Sequence, residues 1–282
     1  MSDEPQIVER LWHPPATLDS TAAQWLRAGS PTGVPARRAA TVMLLRDGAS
    51  GIEVFMMRRV HTMAFAPSNW VFPGGGVDDR DAHTLPSWAG PSPQEWADRL
   101  GESVEVATSL VVAAAREVFE ESGVLLASRG ADAVVRPQDH PERDADRAAL
   151  LSRELSFAQV LQARGMTLRT DLLQVQDHWV TPEFEPKRYD TWFFAALMPR
   201  GQDADDQTTE SDLSDWIVPD ALLADLAAGE AHMLPPTELQ LERIRRAPDA
   251  TAMLHRPSHL MTVLPVPEFD GDRVVLRTRY PL

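Results

Sequence analysis

No cysteine occurs in the 282 residues. Disulfides, thiolate nucleophiles, iron–sulfur clusters and thiolate zinc sites are therefore excluded, and a reducing, cytoplasmic setting is expected. Basic residues are also short: 27 Lys and Arg face 42 Asp and Glu, a net charge of −15. So acidic a surface repels nucleic acid and anionic membranes, and neither is expected as a partner. An anionic substrate would need a cation brought into its site. No apolar run reaches the ~18 residues that span a bilayer; the longest candidates, 110–115 and 192–198, are short. Met1-Ser2-Asp3-Glu4-Pro5 lacks the basic-then-apolar order of a secretory signal.

What is present fits an ordinary globular chain, with 43% apolar and 24% charged residues. The length suits one large domain with additions. Pro5, Pro14, Pro15, Pro31 and Pro35 crowd the first 36 residues around one short helical stretch near 21–27, so residues 1–36 read as an N-terminal arm and 37–282 as the domain. Thr41–Leu45 and Ile52–Met57 are β-rich runs around Asp47-Gly48 and Gly51, a hairpin signal. Apolar residues at 107, 110, 111, 114 and 118 form the strongest helical pattern, which Gly123 closes. Residues 124–126 read as a strand start, 129–148 as a charged loop and 149–164 as one amphipathic helix. Strands are expected at 175–180, 191–198 and 274–280, an acidic loop at 201–212, and helices at 219–228 and 237–245. Strands and helices mix without strict alternation, which predicts an α/β sandwich with a mixed β-sheet.

Chemistry concentrates at the end of the strongest helix, Arg116-Glu117-Val118-Phe119-Glu120-Glu121-Ser122-Gly123-Val124. At ~100° per residue Glu117, Glu120 and Glu121 share an arc of about 100°. Carboxylates in a last turn oppose the helix dipole and repel one another, each effect costing a few tenths to ~1 kcal/mol. A divalent cation reverses both penalties. Oxygen donors without His or Cys suit Mg²⁺ or Mn²⁺.

The run Arg-Glu-x-x-Glu-Glu-x-Gly resembles the core of the Nudix box, Gly-x5-Glu-x7-Arg-Glu-U-x-Glu-Glu-x-Gly-U, with Val118 and Val124 at the bulky apolar positions U. The first half departs from the usual spacing, which would put the early Glu at Thr108 and the Gly at Glu102. Instead Phe72-Pro73-Gly74-Gly75 resembles the loop that opens the box, and after five intervening residues the count from Gly75 lands on Asp81. Thirty-four residues then separate Asp81 from Arg116 in place of seven, so the box is split across 74–124 by an insertion of 27 residues. This split resembles the Nudix branch that includes the peroxisomal coenzyme A diphosphatases of animals. The segments 67–75, 179–194 and 234–237 extend the likeness.

The resemblance implies a Nudix-type α/β/α sandwich with C-terminal additions over about 230–282. It implies metal-dependent hydrolysis of a diphosphate bridge in a nucleotide-type substrate, possible substrates being coenzyme A, an acyl-coenzyme A, ADP-ribose, a dinucleotide or an NTP. A Nudix fold that only binds a ligand is the non-catalytic alternative. Glu120 and Glu121 would hold the metal. Glu117 would be a ligand or take a proton from the attacking water, oriented by Arg116. Gly75 would offer its carbonyl to the metal, and Glu210, separated by five residues from Trp216, would be a late-loop ligand for which Glu183 and Glu185 compete. Asp81, Lys187 and Arg188 are candidate substrate contacts, the last because its fork suits phosphate. All eight histidines are read as structural or surface residues, since Pro257 interrupts the only ligand-like spacing, His255 and His259.

Overall fold

Two strands joined by the tight turn around Gly48 and Gly51 start the central sheet, because alternation of Val42, Leu44 with Met43, Leu45 gives both faces apolar side chains. The computed structural model describes residues 6–61, 66–83, 86–130, 134–208 and 211–281. In chain order the elements are β1 (Ile7–Trp12), α1 (Ala16–Arg27), β2 (Arg37–Gly48), β3 (Gly51–Arg59), β4 (Trp70–Val71), β5 (Gly74–Gly76), α2 (Asp79–His83), β6 (Trp88–Ala89), α3 (Pro93–Leu100), α4 (Val104–Ser122), β7 (Ala127–Ser128), α5 (Arg143–Leu151) and α6 (Phe157–Ala163). They continue with β8 (Thr167–Arg169), β9 (Leu173–Val180), β10 (Tyr189–Leu197), β11 (Ser211–Ile217), α7 (Pro219–Ala228), α8 (Pro235–Ile244), α9 (Ala250–Leu254), β12 (Thr262–Val263), β13 (Val266–Asp270) and β14 (Arg273–Pro281).

The main sheet runs β11-β3-β2-β10-β9-β12, with β4 on β3 and β5 on β2. It is mixed: β10 lies parallel to β2 and β12 parallel to β9, while the other pairs are antiparallel. One face, with Val42, Leu44, Phe194 and Val175, packs under α3 and α4. The opposite face, with Met43, Leu45, Phe193 and Ala195, packs against α7, α8 and α9. The expected α/β/α sandwich is what the chain builds, and residues beyond 230 supply most of its second helical layer. On its far side α4 meets α6 and β8 through Val112, Ala115 and Phe119. A helix apolar on both sides is buried on both sides, and α4 is the spine of the structure.

The N-terminal segment is a correction. Residues 7–12 pair with β14 in a second, three-stranded sheet, and Trp12, Ala22 and Ala23 form a core with Val274 and Leu276. Pro14 and Pro15 end β1 and open α1 rather than marking a detached arm. The amphipathic run at 149–164 is two helices, because Ser156 accepts from Gln159 N while Gln159 caps Ser156 N in return, restarting the chain at α6. A similar capping box, Ser92 with Glu95, starts α3 inside the inserted segment.

Phe194 is fully buried and meets Trp96 edge-on at 6.0 Å. Phe194→Ala is expected to lower unfolding free energy by about 3–5 kcal/mol; a urea midpoint equal to that of the parent would contradict this packing.

Candidate functional site

Ser103 caps the start of α4 and Gly123, at φ +70°, ends it. Glycine suits that end because its φ is left-handed, and a Cβ there would also stand 2.6 Å from the Asp205 carboxylate. The termination leaves Glu117, Glu120 and Glu121 in the last two turns, facing the loop that begins at Phe72.

Arg116 holds this region together. Its guanidinium donates to Asp81 Oδ1 from Nε (3.0 Å), to Asp81 Oδ2 from Nη2 (3.0 Å) and to the Gly76 carbonyl from Nη2 (2.9 Å). From Nη1 it pairs with Glu117 Oε1 at 2.8 Å and Glu120 Oε1 at 3.3 Å. Burial alone would favour the neutral form, but Glu117, Asp81 and Glu120 outweigh it and raise the Arg116 pKa above its ordinary value. Asp81 therefore meets the box across the insertion, as the spacing predicted, yet its place is beside Arg116 with 2% of its surface exposed. A side chain so enclosed orients the arginine and offers a substrate nothing, which corrects its assignment as a substrate contact.

The glycine loop closes on the same helix. Gly74 N donates to Glu121 Oε2 at 2.7 Å. A Cβ on Gly75 would lie 2.5 Å from Glu117 Oε1, and one on Gly74 would lie 2.6 Å from the Ala40 carbonyl. Both positions need glycine for close approach, one to a side chain and the other to backbone. Arg116, Glu117, Glu121, Gly75 and Asp81 are thus brought together, with Glu120 on the more open side.

Next to the loop, Asp78 accepts from Arg80 and pairs with Arg153 at 2.8 Å. Hydrogen bonds from Arg80, against burial and aided by the charge of Arg153, hold the Asp78 carboxyl down at about 2.

The remaining candidates fall elsewhere. Arg188 is buried and spends its guanidinium on the carbonyls of Thr181 (3.0 Å) and Val34 (2.7 Å), so it fastens the β9–β10 turn and is not offered to a phosphate. Lys187, the chain's one lysine, is exposed on that turn. Backbone bonds from Arg37 N to Arg188 O and from Val77 N to Arg38 O set the turn and the glycine loop at one end of the sheet. Glu183 and Glu185 lie on the same turn, and burial raises the Glu185 carboxyl. Glu210 lies outside the described residues.

Arg147 was not found by sequence reasoning. Nearly buried, it reaches from α5 to the Glu120 carbonyl (2.9 Å), the Asp205 carboxylate (2.8 Å) and the Gln207 carbonyl (3.1 Å). Gln202 adds a two-way bond to Leu125, receiving from its N and donating to its O, each at 2.8 Å. The acidic loop is thereby seated on the end of α4. No sequence motif signals these contacts, since Arg147 sits in a stretch with the composition of a loop.

Among the described residues no three His, Asp or Glu side chains converge as a ready metal cage. The residues nonetheless fit a hard cation: the donors are all oxygen, and the space a Cβ would fill at Gly75 abuts the Glu117 carboxylate. Mg²⁺ commonly takes one or two carboxylates and completes its shell with water and substrate phosphates.

A family model described as the NUDT19 Nudix domain matches residues 91–244, more than half of the chain. In Caenorhabditis elegans, a protein named putative nudix hydrolase 7 is 29% identical over 197 residues, covering 70% of this chain and 57% of that protein. The Xenopus laevis protein named acyl-coenzyme A diphosphatase NUDT19 is 23% identical over 232 residues, covering 71% and 61%. The chain spans about three fifths of the length of these two relatives. A crystal structure of a Nudix hydrolase from Alicyclobacillus acidocaldarius matches with a TM-score of 0.61 and 28% identity, over 80% of this chain and 98% of that one.

Two outcomes follow from the glycines and from Asp78. Gly75→Ala is expected to displace Glu117 and cut turnover with the melting temperature nearly kept, whereas Gly74→Ala should lose about 2 kcal/mol or more of stability because its Cβ meets backbone; calorimetry and kinetics on the pair separate the two, and equal melting temperatures would refute the assignment. Since the folded Asp78 pKa lies below the ordinary 3.8, its contribution is complete above pH ~4 and disappears as pH falls toward 2. Asp78→Asn should accordingly flatten the stability-versus-pH curve between pH 4 and 2, and an unchanged slope would count against the Arg80 and Arg153 contacts.

Proposed function

The chain belongs to the Nudix hydrolase family, by its match to the NUDT19 Nudix domain, and from that premise we propose that it hydrolyses the diphosphate bridge of a nucleoside diphosphate joined to a second moiety. Coenzyme A or an acyl-coenzyme A is the substrate the reading favours, on the name of the Xenopus relative. The observation that carries the proposal is the meeting of Glu117 and Glu121 with the Gly74–Gly75 backbone around Arg116.

Glu120 and Glu121, with Glu117, the Gly75 carbonyl and Glu210, are the groups that would hold Mg²⁺ or Mn²⁺. Such a cation supplies neutralisation of phosphate charge and a lower pKa for bound water. The chain's own part is proton transfer and positioning. Glu117 receives the proton of the attacking water at a carboxylate oxygen. Arg116 fixes the rotamer of Glu117 and stays charged throughout, being tied to Asp81. Water adds to one phosphorus, the bridging P–O bond breaks, and the bridging oxygen leaves with the other phosphate. With coenzyme A the products are 3′,5′-ADP and 4′-phosphopantetheine. Lys187 and Arg38, exposed at this end of the sheet, are the cations assigned to substrate phosphates. Strand alternation puts Arg38 on the α4 face with Ala40 and Val42. The absence of cysteine supports a cytoplasmic setting, and among the described residues no helix is long and apolar enough to cross a membrane.

Incubation with Mg²⁺ or Mn²⁺ and coenzyme A, acetyl-coenzyme A, NADH, ADP-ribose or dNTPs, followed by chromatography, tests the reading. Metal-dependent 3′,5′-ADP is the expected product; cleavage of another member alone would replace the substrate, and no cleavage would leave a ligand-binding Nudix fold. Glu120→Gln and Glu121→Gln are each expected to lose at least ~10²-fold in kcat with circular dichroism unchanged, and near-normal turnover in either would remove it from the site.

A further inference from the structure

A second concentration of charge lies under β9, away from the glutamates. Asp177 is 1% exposed and accepts hydrogen bonds from Trp179 Nε1 (3.0 Å), Gln240 Nε2 (2.7 Å) and Arg243 Nη1 (2.5 Å). Its single negative charge is matched by Arg243. Arg256, just beyond α9, adds a second guanidinium to the same neighbourhood. Its Nε is buried without a hydrogen-bond partner, and no ion pair to it is found among the described residues. Burial, then repulsion from Arg243, hold the Arg256 pKa down at about 10, while Asp177 pulls the other way. Two guanidiniums share one carboxylate, and among the described residues no second carboxylate pairs with the excess positive charge. A buried donor without an acceptor is unfavourable unless a partner arrives, and Arg256 Nε is such a donor.

Arg256 lines a cleft of about 480 Å³ together with Arg99, Gln174, His255, Ser258 and Leu260. The volume is within the range of small-molecule sites. In a chain of net charge −15 its lining holds no Asp or Glu. Arg99 lies in the last turn of α3, with its guanidinium 5.1 Å from the Trp96 ring centroid. Glu95, one turn back, is held in the Ser92 capping box. Two arginine forks, a hydroxyl and an amide can donate to the several oxygens of one phosphate, a match that a two-oxygen carboxylate uses less fully. The catalytic glutamates do not line this cleft. Arg99 adjoins the start of α4, and Val104 to Glu117 spans ~20 Å along the helix axis.

We propose that the cleft between α3, β9 and residues 255–260 is a binding site for a phosphate group, free or carried on a small organic molecule, separate from the diphosphate-cleaving site. The inference stands whatever the substrate of that site proves to be.

The test is isothermal titration of the full chain with inorganic phosphate and with AMP, in EDTA at constant ionic strength, so that no metal brings phosphate to the glutamates. Saturable binding of phosphate is expected, weakened at least ~10-fold in Arg256→Gln and several-fold in Arg99→Gln, and unchanged in Glu121→Gln. Tighter binding of AMP than of phosphate would identify an organic phosphate as the occupant, and equal binding would identify the free ion. Absence of binding, equal binding by the parent and both arginine variants, or loss in Glu121→Gln alone would overturn the proposal. Arg99 is exposed on its helix, so Arg99→Gln keeps the test valid if Arg256→Gln does not fold. Both arginine variants should retain turnover at the glutamates, which distinguishes failure here from failure of the hydrolase reading.

Discussion

Everything near the glutamates depends on one buried guanidinium. Arg116 touches Asp81, Gly76, Glu117 and Glu120 at once, which only a planar five-donor fork can do; an ammonium has three donors on a single nitrogen and cannot span them. Carboxylates crowded into a helix C-terminus repel each other and the dipole. The fork offsets that repulsion with the protein's own charge, and it holds the Glu117 carboxylate against the glycine loop. The helix end is therefore preorganised by the protein itself, and the loop glycines follow from it: with the carboxylates held this close, no side chain fits between.

The burial of α4 transmits the same order through the fold. Apolar contacts on one side join it to the sheet and on the other to α6 and β8, so rotating it to relieve the acidic turn would expose core. Arg147 and Gln202 then tie the far side of that turn to the loop at 202–207. The acidic end is held from the glycine loop, from Asp81 through Arg116, and from α5 and the late loop through Arg147.

Some of this was legible in the sequence because it is written in local pattern. The period of α4, its Gly123 stop and the Gly48 hairpin are local and led to the mixed sandwich, whereas Gly75 and Asp81 were set beside the run 116–124 only through the resemblance to the Nudix box. What was not legible depends on partners remote in the chain. Arg188 looked like a phosphate contact because its preferred acceptors, the carbonyls of Thr181 and Val34, are visible only once the turn is folded. The pairing of β1 with β14 joins the two ends of the chain, and prolines in between hid it by resembling a linker. Arg256 lies in a segment without a motif, and its importance comes from Arg243 and Asp177, one from a helix and one from a strand.

Asp81 and Arg116 meet across 35 positions, so the two halves of the box are joined by an ion pair and not by chain continuity. Closing a flexible loop becomes only about 0.6 kcal/mol costlier each time its length doubles. The segment between them is no such loop: it folds its own capped helix α3, and Trp96, Ala97 and Leu100 seat that helix in the core beside α4. The inserted segment therefore adds surface remote from the glutamates, such as the wall that Arg99 contributes to the basic cleft, while the ion pair keeps Asp81 and Arg116 together.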